Sequence, residues 1–67
     1  MYVLRTRGAP PRFYTGRAGE AWLSTDHRFA FRFTTYREAE DRCRLFNART
    51  PVTGAYFAVV GAEHLEA

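Results

Sequence analysis

The chain predicts a small α+β fold, an antiparallel sheet of four to five strands with one helix packed on one face, in the order β-β-β-β-α-β. Three observations predict it. Phe29, Phe31 and Phe33 alternate with Ala30 and Arg32, a period of two that turns three rings to one side of a strand. Thr35 stands three residues before Glu38, the spacing of a capping box, at the head of a run in which Tyr36, Ala39, Cys43 and Phe46 share one helical face. Glycine and proline break the rest of the chain into short extended pieces.

The elements follow in order. Tyr2 to Arg5 reads as a strand that Gly8, Pro10 and Pro11 end in a turn, and Arg12 to Thr15 resumes an extended path, so the two form a hairpin. Gly16 and Gly19 bracket a second turn, and Ala21, Trp22 and Leu23 form a third strand that sends Trp22 into the core. Ser24 to Arg28 is polar, with Asp26 placed to cap a single helical turn before the phenylalanine strand. The helix runs from about Tyr36 to Asn47, with Leu45 well off its apolar stripe, and Asn47 and the Thr50–Pro51 step end it. Tyr56 to Val60, aromatic and β-branched, is the last strand, and Gly61 to Ala67 reads as a frayed tail. The whole of residues 1–67 is expected to be one small domain, which at this length buries only about 60% of the surface its unfolded chain exposes.

Composition narrows the function. No stretch approaches the roughly 20 apolar residues of a membrane span, and the opening residues lack the apolar core of a signal peptide, so the protein is expected in the cytoplasm with no membrane partner. One cysteine excludes an internal disulfide. The ten basic residues are all arginine, against seven acids, for a net charge of +3. A GC-rich coding sequence favours arginine, so position carries more information than number. Arg5, Arg7, Arg12 and Arg17 all precede the first acid, Glu20. On the helix, Glu38 with Arg42 and Glu40 with Arg44 stand four apart in the favourable order, and those arginines read as solvated surface.

One helix covers one sheet face, so the other face is expected to stay wet or to take a partner, with Arg5, Tyr14, Arg32 and Tyr56 as candidates for it. Arginines interleaved with tyrosines suit phosphate and base stacking, and equally suit protein interface anchors. The candidate partner-binding residues are therefore Arg5, Arg7, Arg12, Tyr14, Arg17, Arg32 and Tyr56.

Catalytic readings are weaker. Cys43 lies in the apolar stripe and reads as core. His27 beside Asp26 has no nucleophile placed with it by any signature, and Ser24 to His27 is turn composition. His64, His27 and Cys43 have no zinc-ligand spacing. Gly16-Arg17-Ala18-Gly19 leads into a strand rather than a helix, so it lacks the helix N-terminus of a phosphate loop. No catalytic residue, cofactor or metal is assigned, and no enzymatic activity is expected.

The string Tyr14-Thr15-Gly16, Trp22, Asp26, Ala30-Phe31-Arg32-Phe33, Thr35, Glu38-Ala39-Glu40 and Phe57-Ala58-Val59-Val60 resembles the short hypothetical proteins of phages and prophages. That group includes anti-CRISPR inhibitors, which are short, non-enzymatic binders of host machinery. Many of them are acidic nucleic-acid mimics, a type from which a chain of charge +3 departs. The resemblance implies a binding protein of phage or mobile-element origin that docks on, and inhibits, a host or phage protein complex in a bacterial cytoplasm. The alternative is an arginine- and aromatic-bearing nucleic-acid-binding module, and the third reading is a structural homodimer whose wet sheet faces pair.

Overall fold

The computed structural model describes residues 1–49 and 56–65. It has four antiparallel strands, β1 (Tyr2–Thr6), β2 (Phe13–Tyr14), β3 (Leu23–Ser24) and β4 (Phe57–Gly61), and one helix, α1 (Tyr36–Arg49). The sheet order is β3-β2-β1-β4, a small α+β fold. β1 sits beside β4 along its full length, from Tyr2 opposite Gly61 to Thr6 opposite Phe57. The hairpin between β1 and β2 is clasped by Thr6: its amide donates to the Arg12 carbonyl and its buried hydroxyl accepts from the Arg12 amide, both at 2.8 Å.

Alternation along β1 divides the interior. Leu4 joins Phe57, Phe33, Ala39 and Cys43 under α1, with Tyr2, Tyr14, Trp22 and Phe46 packed around them. Val3 faces the other way, onto Phe13, Ala30 and Ala62. Val3, Leu4 and Phe57 are the most deeply buried large side chains, at 0%, 0% and 1% exposure. The helix begins at the Thr35 cap, with the Glu38 amide donating to Thr35 Oγ1 at 3.2 Å, while the return bond to the Glu38 carboxylate that completes a capping box is not formed among the described residues. It buries Ala39 and Cys43, half-buries Phe46 and leaves Leu45 exposed.

Several expectations give way to this arrangement. The third strand is only Leu23–Ser24, because Gly19–Trp22 closes into a 3-10 turn, with Gly16 and Gly19 at positive φ on either side of the loop. The phenylalanine strand is reduced to a single bridge, in which Phe33 and Tyr2 exchange both backbone bonds at 2.7 and 2.9 Å. Phe29 belongs instead to the 3-10 turn His27–Phe29 that Asp26 caps, and Phe29 and Phe31 are 53% and 45% exposed. The second sheet face is not wet throughout, since Ala30 and Ala62 cover Val3 and Phe13 there. Gly61 therefore ends a strand rather than starting a tail, and Ala62, 3% exposed, donates its amide to the Met1 carbonyl. Residues 66 and 67 of the expected tail, and the Thr50–Pro51 step, lie outside the described residues.

The helix also runs past Asn47 to Arg49. The Asn47 side chain, read as a terminator, reaches across to β4: its Oδ1 accepts from the Phe57 amide at 2.8 Å and its Nδ2 donates to the Phe57 carbonyl at 3.3 Å. Tyr36, expected in the apolar stripe, is 52% exposed and rests edge-on against Tyr2 at 5.5 Å between centroids.

Candidate functional site: a basic end of the sheet

Strand direction gives the molecule two ends. At one, β1 and β3 finish while β2 and β4 begin, and α1 arrives with Asn47 bonded to Phe57. At the other, Tyr2 meets Phe33 and Tyr36, and the turns Gly19–Trp22 and Ala62–Leu65 lie there because they adjoin the start of β3 and the finish of β4.

The candidates divide between these ends. Arg5, Arg7 and Arg12 are exposed at the first end, and Arg7 donates its amide to the Tyr56 carbonyl at 3.1 Å, which brings half-buried Tyr56 there as well. Arg5 projects on the face opposite α1, since its register partners are Phe13 and Ala58. Arg49, at the close of α1, was not among the candidates and belongs to the same end. The remaining candidates do not join them. Arg17 stands in the loop beyond the far end of β2 and turns its guanidinium back to the Phe29 ring, 5.9 Å from its centroid, in a cleft shared with Leu23 and Ser24. Arg32 sits between Phe31 and the Phe33 bridge at that same far end. Tyr14 does not face solvent on an open sheet; it packs with Phe46 at 4.9 Å and Phe33 at 6.3 Å between centroids under the helix. Tyr56, also expected on the open face, packs on the helix side, edge-on to Phe57.

Of the six acids among the described residues, three lie at the far end, and Glu40, paired with Arg44, and Asp41 lie midway along α1. Glu20 and Glu63 lie in the far-end turns and Glu38 in the first turn of α1. The acid that the described residues place at the basic end is Asp26, just beyond β3, and Arg28 already holds it through a bidentate contact with a closest approach of 2.7 Å. The hydrogen bonds from the Arg28 side chain, then from its amide, keep the Asp26 carboxyl down at about 2. Arg5, Arg7, Arg12 and Arg49 therefore form a positive pole with no free acid among the described residues, a charge arrangement able to attract and orient an anionic surface.

Of the other reactive side chains, Cys43 is taken up by the core, and the Nδ1 of His27 is buried with no hydrogen-bond partner among the described residues. Cys43 is 8% exposed, and its thiol donates to the Phe57 carbonyl at 3.3 Å. Burial raises its pKa, outweighing the lowering from Asn47 and nearby Arg7, so the thiolate is suppressed. His27 has no orienting carboxylate, because Asp26 turns to Arg28. The described residues hold no group of three or more His, Cys, Asp or Glu able to bind a metal ion, and no described helix is long and apolar enough to cross a membrane.

A second surface feature escaped the sequence. Phe31, Phe33, Glu38, Asp41, Arg42 and Leu45 line an open groove of about 530 Å³ beside α1. Of the two expected helical ion pairs, Glu40–Arg44 closes at 2.9 Å, whereas Arg42 lies over the Phe46 ring at 5.9 Å. Leu45, an apolar residue off the buried stripe and 41% exposed, was the signal for this groove. Comparison with models of protein families, with curated proteins and with solved structures finds no match to the chain.

Proposed function

We propose that the chain is a non-enzymatic binding protein of the phage or mobile-element kind, which docks its basic end on an acidic surface of a host macromolecular complex in the bacterial cytoplasm and obstructs it. The observation that carries this reading is the gathering of Arg5, Arg7, Arg12 and Arg49 at one end while Glu20, Glu38 and Glu63 lie toward the other. Such a polarised molecule is steered and oriented by a negative partner before contact, and Arg7 beside Tyr56 supplies the residue types that anchor protein interfaces. A protein partner is preferred because the cluster is a compact end of a small domain rather than a long stripe that would follow a phosphate backbone.

The second reading, a nucleic-acid-binding module, rests on the same acid-free end. Capture from bacterial lysate separates them. The unmodified protein is expected to retain a protein partner after nuclease treatment, and an Arg7→Glu/Arg12→Glu variant to lose it. Loss of the captured material on nuclease treatment alone would instead favour the nucleic-acid reading.

A further inference from the structure

We infer that the groove beside α1 is closed by a second copy of this chain, in a symmetric, weak dimer formed through antiparallel α1 helices. Glu38, Asp41, Arg42 and Leu45 occupy positions i, i+3, i+4 and i+7 of the helix, one continuous stripe, and all four line the groove whose floor is Phe31 and Phe33. Leu45 and Phe31 are 41% and 45% exposed, an apolar pair that water covers in the isolated chain.

Charge selects the occupant. A twofold axis passing between positions 41 and 42 sets antiparallel helices so that Asp41 of each copy faces the partner's Arg42. Each pairing is thus made twice, as an isologous contact requires. The same register brings Leu45 of each copy beside the partner's Glu38, where the Phe31–Phe33 floor receives it. Arg42 is not committed to Glu38 within its own helix; it lies over Phe46 and is available to move across. A partner of one sign only would leave either the two acids or the arginine of this stripe opposed by like charge. The exposed apolar area is small beside the roughly 1,200–2,000 Å² of a standard interface, so the dimer is weak and salt-sensitive. The wet sheet faces first expected to pair are replaced in this role by the groove, and the inference is independent of what docks on the basic end.

Sedimentation equilibrium from about 20 μM to about 1 mM at low salt tests it. The mean mass should climb from 7.7 kDa toward twice that value with concentration. Asp41→Arg, which sets arginine against the partner's Arg42, should hold the monomer mass throughout, and the swap Asp41→Arg/Arg42→Asp should restore the climb. Circular dichroism checks that each variant folds. If the swap variant does not, a dilution series of amide NMR spectra on the unmodified chain decides, with shifts expected to concentrate at Phe31, Asp41, Arg42 and Leu45. A monomer at every concentration, an undiminished dimer in Asp41→Arg, a folded swap variant that stays monomeric, or shifts centred elsewhere would each overturn the inference.

Discussion

Asp26 shows how one short side chain removes a charge from the site. Its carboxylate caps the 3-10 turn through the Arg28 amide at 2.9 Å and also holds the Arg28 guanidinium, so neither charge is free to bias the basic end. The sign of its pH dependence follows. The folded pKa of about 2 lies below the ordinary unfolded value of about 3.9. Its contribution to stability is therefore fully present above about pH 4 and lost as pH falls toward 2. The pair is exposed and its contribution small, so the expected signature is a trend: the stability gap between the native protein and Asp26→Asn narrows between about pH 5 and pH 2. A carboxyl that titrates near 4 by NMR would remove the pairing. The sequence supported the cap through the turn composition of Ser24 to His27, but not the choice of Arg28 over His27 as the carboxylate's partner. That choice depends on the rotamer a long side chain adopts, which composition does not specify.

At the scale of elements, the seam between α1 and β4 depends on Asn47. Its amide group satisfies both the N–H and the C=O of Phe57, as a neighbouring strand would, and its Nδ2 also lies 3.5 Å from Cys43 Sγ. Asn47→Ala leaves the Phe57 amide without its partner and the Phe57 carbonyl with the Cys43 thiol alone, and is expected to cost about 1 to 3 kcal/mol, read as a lower midpoint in urea at unchanged slope. An unchanged midpoint would show the seam to be held by packing alone. Asn47 looked like a helix stop in sequence because asparagine competes with helical backbone bonds; here it bonds a different element and the helix continues. The helix itself was legible from Thr35 and the Ala39–Cys43–Phe46 spacing, which are local signals. The phenylalanine strand was not, because its fate is decided by a distant neighbour. β2 leaves β1 beyond Tyr14, where Gly16 turns to φ +79°, and a Cβ at Gly16 would come within 2.7 Å of the Phe31 ring. The Phe31 amide bonds the Tyr14 carbonyl at 2.7 Å and Phe33 alone reaches Tyr2, so the segment bridges the gap between two strands rather than extending one.

At the scale of the molecule, fold class and the single-helix sheet were readable because hydrophobic period and turn residues act locally. The site was readable only in part. Arg5, Arg7, Arg12 and Arg17 form one acid-free segment in sequence, yet the hairpin places the first three at one end, while Arg17 leaves the far end of β2 and commits its guanidinium to the Phe29 ring. Arg49 joins the basic end from a helix that starts at the opposite pole. Distribution over ends is a property of topology, and net charge cannot express it. The most direct test is therefore the affinity of the captured partner for two single variants, Arg12→Glu and Arg17→Glu, across a salt series. Arg12→Glu is expected to weaken binding about fivefold to tenfold, equivalent to about 1 to 1.4 kcal/mol, and to flatten the salt dependence, while Arg17→Glu stays within about twofold of the native protein. Equal losses from the two reversals would contradict a site confined to the basic end.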